Sequence, residues 1–139
     1  MTKEDLTTVV TLTNVIKREQ ERLSKLRDWI ARITQEVDGL PHASGYAKSC
    51  IDELTAQIID CESNIQNLLV SRAESRSKLT KKLDTCITDN ATKEVFVERY
   101  VFGSKYCDIA KKMHFSENHV FCLRRQGLKL LGIKANFKE

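Results

Sequence analysis

The stretch SKYCDIAKKMHFSENHVFCLRRQGLKLL, residues 104–131, decides how this chain is read. It divides at His114-Phe115-Ser116 into two short amphipathic segments. Ile109, Ala110 and Met113 share one helical face in the first, and Val120, Leu123, Gly127, Leu128 and Leu131 share one in the second. Ser116 suits a helix start, because its side-chain oxygen accepts from an N–H that the first turn leaves unpaired, and Ser104 is expected to cap the preceding segment in the same way. Ala110 is small enough for the last helix to cross close over the one before it, and Phe115 is expected to plug the junction. A third short helix, Thr92–Phe102, precedes the pair; Gly103 stops it and the capping side chains of Asp89-Asn90-Ala91-Thr92 start it. With Val120 and Leu123 turned inward, Glu117, Asn118, Phe121 and Cys122 point outward near the start of the last helix.

The charge supports a distinct role for this end of the chain. Residues 91–139 hold 10 Lys/Arg against 5 Asp/Glu, whereas residues 1–90 hold 13 against 14. A basic module is the footprint expected where phosphates are bound, although a solvated surface gives the same count. Arg124, Arg125 and Lys129 follow along the last helix within reach of phosphates flanking a groove. A second basic cluster, Arg72, Arg76, Lys78, Lys81 and Lys82, either extends that footprint or forms a solvated face.

Upstream, positions 6, 9, 13, 16, 20, 23, 26, 30, 33 and 37 carry Leu, Val, Thr, Ile, Gln, Leu, Leu, Ile, Ile and Val. Steps of three and four keep one apolar stripe on one helix face, with charged residues such as Lys17, Arg18 and Glu21 between. Trp29 falls on or beside the stripe and is expected in the core. Asp38–Gly45 holds the only Pro and two of the five Gly, so the chain reverses there. From Ile51 to Cys86 a second stripe runs through Leu54, Ile58, Cys61, Ile65, Leu68, Leu79 and Leu83, with polar breaks at Arg72 and Ser75. The fold class expected is all-α: a long antiparallel helical hairpin of coiled-coil type over residues 1–90, about 50 Å long, then a helix-turn-helix domain over residues 91–139.

The run Tyr106-Cys107-Asp108-Ile109-Ala110-Lys111-Lys112-Met113-His114-Phe115-Ser116-Glu117-Asn118-His119-Val120 resembles the x-x-x-I-A-x-x-L-x-x-S-x-x-x-V core of bacterial sigma factor region 4. Glu98-Arg99-Tyr100-Val101-Phe102-Gly103 is similar to the RY-x-x-G helix end that precedes that core. With the hairpin and its Gly39-Leu40-Pro41 turn, the layout resembles phage-encoded regulators of the ArpU and RinA type in Gram-positive bacteria. The residues carry the resemblance over 92–131; the hairpin shares only the layout. The resemblance implies a sequence-specific transcriptional regulator that binds double-stranded DNA in the cytoplasm of a bacterial host. It puts base-reading positions on Glu117, Asn118, Phe121 and Cys122, and backbone-contacting positions on Ser104, Tyr106, Ser116, Arg124 and Arg125. Phe121 and Cys122 stand where sigma factors commonly carry polar side chains, so the promoter element that sigma factors read is not the expected target. Their apolar surface suits thymine methyl groups, Asn118 suits adenine and Glu117 suits the cytosine amino group. Alternatively, Phe121 packs against another protein.

Other function classes find little support in the residues. No run approaches the roughly 18 apolar residues of a membrane span, and Met1-Thr2-Lys3-Glu4-Asp5 lacks the plan of a signal peptide, so no membrane partner is expected. The five cysteines are odd in number and without a CxxC, and are expected to be reduced and mostly buried. His42, His114 and His119 show no paired spacing, and a zinc site from Cys107, His114, His119 and Cys122 competes with core positions. No phosphate-binding glycine loop or carboxylate cluster is present, so no enzyme activity, metal or cofactor is expected. The other reading is an interaction protein whose coiled coil binds a partner such as RNA polymerase.

Two helices alone leave the edges of both stripes exposed; a homo-oligomer formed through the hairpin would cover them, the alternative being that the hairpin folds back on the C-terminal domain. The purified protein is expected to sediment as an oligomer held by Ile16, Leu23, Ile30, Ile58, Ile65 and Leu68. A monomer at micromolar concentration in analytical ultracentrifugation would contradict this.

Overall fold

Thr2 and Asp5 begin the first helix by exchanging hydrogen bonds. The Asp5 amide donates to Thr2 Oγ1 at 3.2 Å, and the Thr2 amide donates to Asp5 Oδ2 at 3.1 Å. This reciprocal box satisfies donors that no earlier turn can satisfy. These bonds, with Lys82 3.3 Å away, hold the Asp5 carboxyl below its ordinary pKa. The computed structural model describes residues 1–38, 44–134 and 137. Helix α1 runs over Lys3–Val37 and α2 over Ser44–Cys86. Threonine is a poor helix former, yet Thr7, Thr8, Thr11 and Thr13 each donate a hydroxyl to a carbonyl one turn back, so none needs a partner outside the helix. The remaining elements are α3 (Asn90–Phe96), which runs on into a π-helical turn at Val97–Val101, α4 (Tyr106–Met113) and α5 (Glu117–Leu130). Among the described residues there is no strand, and the fold class is all-α. The expected reversal at Asp38–Gly45 lies, from Gly39 to Ala43, outside the described residues.

Apart from Ala47, one turn before the second stripe begins, the buried positions of α1 and α2 fall on the expected stripes. Leu6, Val9, Ile16 and Leu26 are buried on α1, and Leu54, Cys61, Ile65, Leu79 and Leu83 on α2. Several stripe positions, among them Leu23, Ile30, Ile58 and Leu68, are only partly buried, and three positions expected inside are exposed. Gln20 is exposed, as its polar amide requires. Trp29 is 58% exposed rather than in the core, because it sits between Leu26 and Ile30 and beside the buried face rather than on it. Cys86 is exposed and Ile87, one residue beyond the helix, is fully buried instead. The cysteine reading is also corrected: all five thiols are free, but only Cys61 is buried, while Cys86 and Cys122 are exposed.

The chain divides into two compact units, residues 14–71 on the one hand and residues 1–13 with 72–139 on the other. The expected units were 1–90 and 91–139. The reason for the difference is apolar area. Three short helices have too few large side chains to enclose a core of their own. Leu6 and Val9 from α1, and Leu79 and Leu83 from α2, join Ile87 around Phe96, Tyr100, Val101, Leu128, Leu131 and Phe137. A second cluster holds Val95, Ile109, Ala110, Val120 and Leu123. Adjacent residues of α3, Val95 and Phe96, thus serve the two clusters separately.

Among the described residues of 14–71, Ile16, Leu26, Ala47, Leu54, Cys61 and Ile65 are the buried apolar side chains. Arg27 pairs with Glu62 at 2.6 Å on the surface, where solvent screening leaves little net gain. The Cys61 thiol lies 3.4 Å from the Glu19 carbonyl, and burial together with the Glu19 carboxylate raises its pKa.

Among the described glycines, Gly127, in the interior of α5, is the one whose missing side chain leaves room for a neighbour. A Cβ built there would lie 2.1 Å from Phe96 Cε2 and 2.6 Å from its Cζ. Phe96 is fully buried and its ring cannot swing into solvent. Gly127→Ala is therefore expected to destabilise the fold by about 1–3 kcal/mol, the usual cost of overpacking, despite the better helix propensity of alanine. Pairing it with Phe96→Leu should recover part of the loss in a double-mutant cycle followed by urea denaturation.

Candidate functional site

The site is built on α4, α5 and the three residues between them. Helix α4 ends at His114, which takes a left-handed conformation at φ 58°, ψ 37°. The His114 amide donates to the Lys111 carbonyl at 3.3 Å and the Phe115 amide to the Ala110 carbonyl at 2.9 Å. This pair of bonds closes the helix end and reverses the chain within one turn. Ser116 then caps α5 by accepting from the His119 amide at 3.2 Å, as its position suggested. Asp89 does the same for α3, accepting from both the amide and the hydroxyl of Thr92, and these bonds hold its carboxyl below the ordinary value.

Two expected details of the junction are corrected. Phe115 does not plug it; the ring is 37% exposed and stands edge-on to His119 at 4.6 Å. Ile109, Ala110, Val120 and Leu123 already fill the contact between α4 and α5 with Val95 beneath them. Ser104 does not cap α4, which has Lys105 at its cap without a side-chain bond. Instead, Ser104 closes the end of the π-helical turn. Its hydroxyl donates to Glu98 Oε2, its amide donates to the Glu98 carbonyl at 2.9 Å, and its carbonyl accepts from Arg99 at 3.0 Å. Gly103, at φ 73°, supplies the backbone turn that allows this.

On α5, Val120, Leu123, Gly127 and Leu128 are buried. Glu117, Asn118 and Cys122 are exposed in its first turns, and Phe121 is 38% exposed. Arg125 and Lys129 continue along the exposed side, and Arg125 reaches back to the Cys122 sulfur at 3.5 Å. Lys105 and Lys111 are exposed cations on and before α4, whereas Lys112 is paired with Glu98, which raises the pKa of its ammonium. Tyr106, in the first turn of α4, is half-buried. Its ring lies 4.8 Å from that of Phe121 and 4.4 Å from the Arg99 guanidinium.

Arg124 differs from its expected place among the phosphate-facing residues. Its Nε donates to the Tyr100 hydroxyl at 3.2 Å, a terminal nitrogen donates to the Phe137 carbonyl at 3.0 Å, and the guanidinium lies over the Phe137 ring. The spacing from Val120 and Leu123 predicts an outward side chain; Tyr100, buried in the core, turns it inward instead. The α2 cluster also divides. Arg76 donates to the Val101 carbonyl at 3.1 Å, and burial, then the charge of Arg72, lowers its pKa. Lys82 pairs with Asp5, while Lys78 and Lys81 are exposed. Sequence reasoning missed Arg99, Tyr100 and Phe137 as a supporting framework, and no periodic signal marks them. It missed the role of Gly127 as well, for which an isolated glycine inside a helical pattern was a usable sign.

No family model, curated protein or solved structure matches the chain. Among the described residues, no group of three or more His, Cys, Asp or Glu is arranged to hold a metal ion, and no helix is long and apolar enough to cross a membrane.

Arg124→Ala is expected to act on stability, lowering it by about 1–3 kcal/mol through the lost charge-assisted bonds and the unpaired Phe137 carbonyl. Arg125→Ala, whose side chain is exposed, should leave the denaturation midpoint almost unchanged. Equal midpoints for the two variants would show that the inward bonds of Arg124 contribute nothing.

Proposed function

We propose that the chain is a sequence-specific, double-stranded DNA-binding transcriptional regulator rather than an enzyme, encoded by a phage or prophage and acting in the bacterial cytoplasm. In this reading α4, the His114–Ser116 turn and α5 form a helix-turn-helix similar to sigma factor region 4. The long helices form an antiparallel hairpin that brings copies together. The observation that carries the reading is the division of α5: Val120 and Leu123 are buried against α4, while Glu117, Asn118, Phe121 and Cys122 face out from its first two turns, ahead of Arg125 and Lys129. A recognition helix needs that arrangement, with its N-terminal residues free to reach base edges and cations behind them for phosphates. Asn118 and Glu117 would read bases, and Arg125, Lys129 and the cap region at Ser116 would hold the backbone. Ser104 and Arg124 support the framework from inside.

A second reading is favoured by a different observation. Helix α2 exposes Ile59 and Val70, each about 60% accessible, with Leu69 next to Val70. Apolar side chains at such positions suit a protein partner, either another copy or RNA polymerase.

A salt titration on a preferred and a scrambled duplex tests the proposal. Asn118→Ala should cost about 1–3 kcal/mol on the preferred site, relax the choice at one base pair and leave the salt slope nearly unchanged. Arg125→Ala should weaken both duplexes alike and flatten the log-log salt slope by roughly one unit, since one fewer counterion is released. An oligomer should protect half-sites about 10 base pairs apart, or a multiple of that, in footprinting. If Asn118→Ala and Arg125→Ala both leave DNA binding and cellular activity intact, the protein-interaction reading replaces this one.

A further inference from the structure

Phe121 is the one large apolar side chain on the outward side of the first two turns of α5, and it is not loose. Its ring meets that of Tyr106 at 4.8 Å with a 45° tilt. Tyr106 is itself covered by the Arg99 guanidinium at 4.4 Å, and Arg99 is anchored on the Ser104 carbonyl at 3.0 Å. The contacts run from the π-helical turn, through the start of α4, to the exposed side of α5. Three elements therefore fix the direction of one half-exposed ring. A ring held in place before binding gives up little rotational freedom on contact, so its apolar surface is available to discriminate between partners.

The surroundings indicate what the ring meets. Its neighbours one helical turn away are Glu117, Asn118 and Arg125, all exposed and polar, and Lys105 is exposed just before Tyr106. The core of a protein interface is depleted of charge, which this surface is not. The exposed cations Lys105 and Lys111 on and before α4, with Arg125 and Lys129 on α5, are complementary to a polyphosphate backbone. In the major groove the apolar feature of a base edge is the thymine 5-methyl group.

Resting on the DNA-binding reading above, we infer that Phe121 is a specificity-determining residue that contacts a thymine methyl group, and that Tyr106, steadied by Arg99, is the positioning residue that holds it there. Tyr106 acts through Phe121 and makes no phosphate contact of its own.

The test uses the full chain and a site selected from a randomised duplex pool. Each thymine of that site is replaced in turn by deoxyuridine, which lacks only the methyl group. At one position the unaltered protein should lose about fourfold in affinity, the worth of one methyl group removed from water. Phe121→Ala should bind the thymine and deoxyuridine duplexes equally. Tyr106→Ala should also lose the discrimination while binding the deoxyuridine duplex as well as the unaltered protein does, and Tyr106→Phe, which keeps the ring, should retain it. Phe121 is at the surface, so its variant decides the matter even if Tyr106→Ala fails to fold by circular dichroism. A selected site with no methyl-sensitive thymine, or Phe121→Ala with undiminished sensitivity, overturns the inference and leaves DNA binding standing. Tyr106→Ala weakening both duplexes alike makes Tyr106 a backbone contact and overturns its positioning role. A pool from which no duplex is enriched overturns the inference together with the DNA-binding reading.

Discussion

Phe96 occupies the space that a side chain at position 127 would need. The ring is fully buried, packs 5.3 Å from the Tyr100 ring, and lies against the bare backbone of α5. Helix α3 and helix α5 meet at this point at the distance only glycine permits. From it the rest of the unit follows. Tyr100, one turn beyond Phe96, comes to rest where its hydroxyl meets Arg124, and Leu128 joins the cluster that the ends of α1 and α2 complete. Val95, next to Phe96, falls on the other side of α3 and supports the contact of α4 with α5. One close approach thus couples the packing of the larger core to the orientation of the helix whose outward side carries the candidate site.

The basic balance of the C-terminal residues does not translate directly into surface charge. Two of the three arginines among residues 91–139 point into the structure or across it, Arg99 to the Ser104 carbonyl and the Tyr106 ring and Arg124 to Tyr100 and Phe137, and Arg76 of α2 turns in the same way to the Val101 carbonyl. Each lies near an irregular stretch of backbone, at the π-helical turn or beyond α5, where carbonyls have no partner within a helix. A planar guanidinium with several donors can satisfy such carbonyls and lie over an aromatic ring at once, which an ammonium cannot do as well. Among the described residues from 91 onward the exposed cations are then mainly lysines, Lys105, Lys111, Lys129 and Lys134, with Arg125 and with Lys112, which is paired with Glu98. Our proposal for DNA binding relies on these exposed groups and not on the total.

The geometry of the turn has a similar economy. A left-handed residue at His114 ends α4, and the cap at Ser116 begins α5 after only Phe115 between them. So short a connection leaves α4 and α5 few ways to cross. With Ile109 and Ala110 inside, Val120 and Leu123 are the α5 side chains that can meet them, and the outward side is set by what remains.

Much of this was legible in the residues. The three-four spacing marked the buried stripes of α1 and α2, and Asp89, Gly103 and Ser116 marked boundaries, because helical periodicity and capping are local properties of the chain. Local chemistry also placed Glu117, Asn118, Phe121 and Cys122 on one side of α5. Other features depend on neighbours distant in sequence. Trp29 looked like core because it adjoins a stripe, but a displacement of one residue around the helix turns a side chain toward solvent. Ser104 looked like a cap, but Glu98 and Arg99, brought beside it by a π-helical turn, bind it more completely. Arg124 looked like a phosphate ligand, and only the arrival of Tyr100 and Phe137 made it internal. The sequence by itself determined where the helices lie and which faces are apolar, since each depends on residues within a turn of one another. The tertiary structure alone decided that the ends of the long helices complete the C-terminal core and which of the basic side chains remain at the surface, because both depend on the partners that folding brings within a few ångströms.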